Sequence, residues 1–387
     1  MNRSTSGDAV AGNRDLMTDI FLRLPARDVL RCMCVCKQWL ALISNPHFRY
    51  SHTLHLFRNN SYPRALLLPD NNNGNMKVCV VPFTNNDQCS LVAKNICEFV
   101  SSIIQSCNGL LLCAGYTPSQ KIDSRTKIFH QRCNYYVINP AISSCFDHIS
   151  YNSSKPYPHL LMPFLSYEPR ESPYYKVILF IEFKHGVEIS VYSSETKSWS
   201  DPVILFTKVP VKFGAYCNGI VHWFSPLKTL IYFDINKFCF NELQWTIPSY
   251  DFCLLHVRYF RESGGNMYLV LANVDRELEY DIWELEKDYC GWVLKYHMDL
   301  NHICEGLVLS LRNYNGRVPM SVVCQENEEE DSVVVFIKDS NDKKMKVLSY
   351  NLNNHGSRIL HELDKEFFCN SFQYFETLSW TIGFDHV

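Results

Sequence analysis

The chain of 387 residues is 47% hydrophobic and 14% aromatic, which suits one large domain with a small appendage and excludes a wholly disordered protein. A formal net charge of −3 and a pI near 6.5 supply no general field for nucleic-acid phosphates or an anionic bilayer, so neither is expected as a partner. No stretch approaches the ~20 apolar residues of a membrane-spanning helix, and Met1 to Gly12 reads as a disordered polar tail rather than a signal peptide, so cytoplasm or nucleus is the expected location.

From Asp15 to Ile43 the pattern is helical. Leu16, Ile20 and Leu24 recur at every fourth position, with Met17 and Phe21 widening the same stripe. Pro25 then ends the first helix, fixes the angle to the next and suits the opening of a new helix near Ala26 that carries Val29 and Leu30. Val35, Trp39, Leu42 and Ile43 share a third face, which stops at Ser44-Asn45-Pro46. Residues 13–52 thus read as a three-helix unit, too short to bury a self-sufficient core and therefore dependent on a partner or on the rest of the chain. Helical grooves on partner proteins take apolar anchors at three- and four-residue spacing, and Leu16, Ile20, Leu24, Leu30, Val35 and Trp39 provide them. Leu16, Ile20 and Leu30 serve equally well as core or as interface, and Trp39 leans inward.

Residues 53–387 change texture to short runs of Val, Ile, Tyr, Phe and Trp between Gly, Asn, Pro and Ser clusters, the pattern of strands and turns. Trp199, Trp245 and Trp292 recur at intervals of 46 and 47 residues, each read as opening the return strand of a hairpin. Cys107-Asn108-Gly109 echoes Cys217-Asn218-Gly219, and Asn-Gly is a tight-turn dipeptide. Four-stranded units at such a period predict a mainly β fold: a β-propeller of about six blades, with five to seven possible. Ring closure should pair Phe372–Ile382 with strands at Thr53–Phe57 and Arg64–Leu68.

The 17 cysteines lie mostly in apolar runs and read as reduced core thiols. Cys32, Cys34 and Cys36, spaced by two on an expected helix, point to different sides, and no C-x₂-C pair occurs, so no metal is expected. His52 and His55 read as solvated, His222 as a core or rim histidine, and the acidic run Glu326 to Asp331 as a solvated loop. Phosphate loops, nucleophile elbows, zinc-helix motifs and dinucleotide fingerprints are missing, which argues against an enzyme and against a cofactor. A propeller enzyme or glycan-binding module is the remaining third class, and its mark would be a deep central pocket with clustered charged or aromatic groups.

Asp15 to Arg31 and Cys34 to Trp39, followed by Leu42-Ile43-Ser44, together resemble the two halves of the box in plant F-box proteins that carry an F-box-associated propeller-like domain. Ser106 to Leu112, Tyr135 to Pro140, Val191 to Trp199 and Asn218 to Trp223 are similar to strand motifs of that associated domain. The family's box usually opens with Leu-Pro, where this chain has Gly12-Asn13. The resemblance implies that residues 13–52 dock on a Skp-type adaptor, and through it a cullin, while the β-domain recruits an unknown protein substrate for ubiquitination. It further implies a non-catalytic subunit, the chemistry belonging to other proteins. The alternative is an orphan interaction module whose altered box joins no ligase.

Overall fold

A computed structural model describes residues 10, 12–59, 63–70, 76–83, 100–115, 132–142, 146–152, 160–183, 185–205, 214–225, 229–247, 256–273, 276, 278–304, 320–324, 330–338, 344–363 and 370–379. Among the described residues, four amino-terminal helices, α1 (Arg14–Leu22), α2 (Ala26–Cys32), α3 (Lys37–Ser44) and α4 (Pro46–Asn59), precede six antiparallel sheets. The first strands of the sheets contact one another around a central axis, and the sheets form the six blades of a β-propeller.

Blade 1 joins the carboxy-terminal strand Phe372–Tyr374 to Ala65–Asp70 and Lys77–Pro82, with Leu67 opposite Phe372 and Ala65 opposite Tyr374. The ring therefore closes between its two ends, as the sequence suggested for Arg64 to Leu68. Blade 2 runs from Val100–Cys107 to Phe146–Asn152, blade 3 from Leu160–Ser166 to Val203–Leu205, and blade 4 from Ala215–Cys217 to Cys239–Gln244. Blade 5 spans Val257–Ser263 to Trp292–Asp299, and blade 6 spans Met320–Val323 to Ser357–Leu363.

Because successive side chains on a strand face opposite ways, one strand can feed two cores. In blade 3, Val177, Leu179 and Ile181 pack against blade 2, while Ile178 and Phe180 pack against blade 4. Blade 5 repeats the device: Tyr268 and Val270 face blade 6, and Met267, Leu269 and Leu271 face blade 4. Six such inter-blade cores complete the ring, and a seventh lies within the helices. This is why the strands read as nearly continuous apolar runs.

Both Asn-Gly turns hold the positive φ angles that tight hairpins require, with Asn108 at 46° and Gly109 at 89°, and Asn218 at 47° and Gly219 at 79°. They lie two blades apart, not one. The two asparagine amides also tie neighbouring blades, Asn108 Nδ2 donating to the Tyr167 carbonyl at 2.7 Å and Asn218 Nδ2 to that of Gly265 at 2.8 Å.

Several local expectations differ from the structure. Thr53–Phe57 is helical, the interior of α4, because Thr53 and Phe57 are buried on one face of that helix. Trp245 lies beyond the end of its strand Cys239–Gln244, whereas Trp199 and Trp292 begin or sit within their return strands. Asp331, assigned to a solvated loop, is buried and accepts from the Tyr296 hydroxyl at 2.8 Å.

Candidate functional site

The helical unit starts at a well-formed cap. Asn13 has extended backbone angles, and its Oδ1 accepts from the amides of Asp15 at 3.0 Å and Leu16 at 3.2 Å, so the residue that departs from Leu-Pro is a good N-cap. Pro25 stands at the N-cap of α2, where its missing N–H costs nothing. Cys36, in the turn between α2 and α3 rather than on a helix, caps α3 through Sγ, which accepts from Trp39 N–H at 3.4 Å. Asn45 does the same for α4, accepting from His47 N–H at 2.9 Å.

The apolar residues then divide into two sets. Met17, Phe21, Ala26, Val29, Leu42, Ile43 and Phe48 form the core of the unit. Trp39 lies half-buried against it, edge-on to Phe21 at 5.1 Å. Leu24 and Leu30 are half-buried at the rim, and Pro25 is exposed. Leu16 is 46% exposed, Ile20 42%, Leu40 43% and Val35 62%, against 5% for Met17 and 1% for Phe21. The stripe of α1 is thus split: its Met17/Phe21 half builds the core, and its Leu16/Ile20 half faces outward. Leu40 belongs to the exposed set and was not singled out from the sequence, although it precedes the buried Leu42 by two residues, an offset that carries it to the opposite side of α3.

The unit is fastened to the propeller by the segment that follows the closing strand. Glu376 Oε1 accepts from Arg27 N–H at 2.6 Å, placing a carboxylate at the amino end of α2. Leu378 is fully buried in the helical core. Ser379 Oγ donates to Thr53 Oγ1 at 3.4 Å and meets Tyr167 OH at 2.7 Å, while Asn139 Nδ2 of blade 2 donates to the Ser379 carbonyl at 2.7 Å. His52, expected in solvent, is buried because α4 packs along the unit, and its Nε2–H donates to the Leu24 carbonyl at 2.9 Å. Burial lowers its pKa to about 4. His222 is a core histidine stacked on Tyr289, also lowered by burial to about 4.

The inner strands of all six blades enclose a cavity of about 580 Å³, and Phe57 of α4 stacks on Phe375 within its lining. Three of its thiols and hydroxyls are committed to main-chain carbonyls: Cys107 Sγ donates to Tyr167, Cys217 Sγ to Gly265 and Ser106 Oγ to Gln373. Burial raises both thiol pKa values, so neither is a ready nucleophile. Two carboxylates and two guanidiniums also line it. Glu262 Oε1 accepts from Gly265 N–H at 2.7 Å, and Glu168 Oε1 from Arg170 N–H at 3.1 Å. Arg261 donates to the Ser371 carbonyl at 2.9 Å and lies over the Phe372 ring, and Arg170 donates to the Phe57 carbonyl at 2.9 Å. Desolvation pushes the Glu262 carboxyl pKa up. Among the described residues no group of three His, Cys, Asp or Glu side chains is placed to hold a metal ion. Residues 117–131, and 326–329 of the acidic run, lie outside the described residues.

Residues 13–51 match the family model described as the F-box domain. F-box protein At5g07610 of Arabidopsis thaliana is 26% identical over 373 residues, covering 85% of this chain and 81% of that protein. F-box/kelch-repeat protein At3g23880 of Arabidopsis thaliana is 24% identical over 249 residues, covering 59% of this chain and 64% of that one. F-box protein CPR1 of the same plant is 24% identical, with 87% of this chain and 75% of that protein covered. The chain therefore carries an F-box domain at residues 13–51, followed by a six-bladed β-propeller, and the relatives it matches are F-box proteins of Arabidopsis thaliana.

Proposed function

We propose that this chain is the substrate-recognition subunit of an SCF-type ubiquitin ligase. The F-box face docks on a Skp-type adaptor and through it a cullin, and the propeller recruits a target protein for ubiquitination and degradation. The observation that carries the reading is the split of the helical unit: Leu16, Ile20, Val35 and Leu40 are left in water by a unit that has already completed its own core. Apolar side chains held outward on capped helices fit a partner that supplies the missing cover. The ties through Glu376, Leu378 and Ser379 support the second half of the reading, because a target held on the propeller keeps a fixed position relative to the docked adaptor.

The chain is read as a non-catalytic subunit although a central pocket with charged and aromatic groups is present, because the nucleophile candidates Cys107, Cys217 and Ser106 donate to main-chain carbonyls. Its expected compartment is the cytoplasm or nucleus. Co-purification from plant extract tests the reading: the wild-type chain recovers a Skp-type adaptor and a cullin, and the Leu16→Asp/Ile20→Asp variant recovers neither and stops target turnover. A wild-type chain that is folded and abundant yet recovers no adaptor would favour an orphan interaction module instead.

A further inference from the structure

We propose that the central cavity of the propeller is a binding site for an alkylammonium or guanidinium group carried on an apolar stem, held by Glu262 and Glu168. The cavity, at about 580 Å³, falls in the size range of small-molecule pockets and is far larger than a packing defect. Its walls mix aromatic side chains, among them Phe164, Tyr216 and Tyr259, with polar and charged ones such as Gln105, Glu168 and Glu262, so an apolar body can lie against the rings while a charged end meets a carboxylate.

The charged groups are arranged unequally. Both guanidiniums donate to main-chain carbonyls, and Arg261 lies over an aromatic ring, so neither pairs with a carboxylate among the described residues. Each carboxylate has one oxygen anchored by a backbone amide, and no protein hydrogen bond to the other oxygen occurs among the described residues. Glu168 and Glu262 line the same cavity, and Glu262 is the one whose carboxyl is pushed up, chiefly by desolvation. Partly buried carboxylates that keep an open oxygen and are not paired with either guanidinium of the cavity favour a cation with several donors. A bare metal ion fits less well, because among the described residues two carboxylates face the space, whereas an organic cation also uses the aromatic walls.

The proposal goes beyond adaptor docking, since none of the exposed F-box side chains takes part in it. The cation can come from a free amine or from a lysine or arginine side chain of a bound protein. Titration calorimetry on the full-length chain distinguishes them with 1,5-diaminopentane, N-acetyl-lysine methylamide and the neutral control 1-pentanol. The expected result is saturable binding of at least one cation, no binding of pentanol, and affinity at least about tenfold weaker in Glu262→Gln, the loss that follows when a charged hydrogen-bond partner becomes neutral. Binding of the diamine alone assigns a free amine, and binding of the lysine amide alone assigns a side chain from a protein partner. Should Glu262→Gln fail to fold, Glu168→Gln, in the turn outside the strand, gives the same reading. Absence of saturable binding up to roughly 10 mM, equal binding of pentanol, or unchanged affinity in a folded variant would overturn the proposal.

Discussion

Replacing Leu16 and Ile20 together by alanine separates docking from folding. Burying a whole leucine or isoleucine side chain contributes ~1.5–3 kcal/mol. With 46% and 42% of their surfaces still in water, a little under half of that remains available to a partner, roughly 1 kcal/mol from each side chain and about 2 kcal/mol from the pair. The double variant should therefore bind a Skp-type adaptor about 30-fold more weakly. Its own stability should fall by no more than about 2 kcal/mol, the share of the two side chains already covered, partly offset because alanine is the better helix former. Met17→Ala/Phe21→Ala is the opposite control: both residues are buried, and each truncation should cost ~2–5 kcal/mol of folding stability. Calorimetric titration against purified adaptor, with urea unfolding of each free protein, measures both quantities. An unchanged dissociation constant for the Leu16/Ile20 variant, or a loss of helical stability as large as that of the control, would refute the division into outward and inward faces.

Removing the carboxylate that caps α2, with Glu376→Ala, should cost about 1 kcal/mol in urea unfolding, and no change would mean the junction is held elsewhere. Gly109→Ala should be more damaging than Gly265→Ala: both hold positive φ, but a Cβ at Gly109 would meet Thr377 Cγ2 at 2.6 Å, while none lies within 4 Å at Gly265. Equal unfolding midpoints for the two would contradict this. His52 and His222 have folded pKa values of about 4, below the 6.5 of the unfolded chain, so the unfolded state binds protons more readily. Their contribution is complete above about pH 6.5 and is lost as pH falls toward 4, by about 2 kcal/mol each between roughly pH 7.5 and pH 5. An unfolding midpoint that does not fall over that range would count against their burial as neutral groups.

Features set by local chemistry were legible in the sequence. Asn108-Gly109 and Asn218-Gly219 specify tight turns through their own backbone preferences, and Pro25 separates two helices wherever it stands. Propeller architecture followed from strand texture and repetition, but the period of 46 and 47 residues did not measure a blade. Trp245 sits at the far end of its strand, packed edge-on to Phe224, and the first strands begin at intervals between 42 and 63 residues. The strand expected at Thr53–Phe57 was outweighed by tertiary packing, since Thr53 and Phe57 are buried where α4 meets the propeller and the carboxy-terminal segment. Which half of the α1 stripe faces inward depended on α3 and α4, which cover Met17 and Phe21. The cavity was illegible for the same reason: Glu168 and Glu262 come from blades 3 and 5 and line one space only when the ring closes.

Hydrogen exchange on the full-length chain, alone and with a Skp-type adaptor, tests the docking surface most directly. The expected outcome is a stable complex in which amides of residues 14–22 and 33–44 slow their exchange while those of the six blades keep theirs. A failure to form the complex, or protection confined to the propeller, would contradict the assignment of the outward F-box face as the adaptor-binding surface.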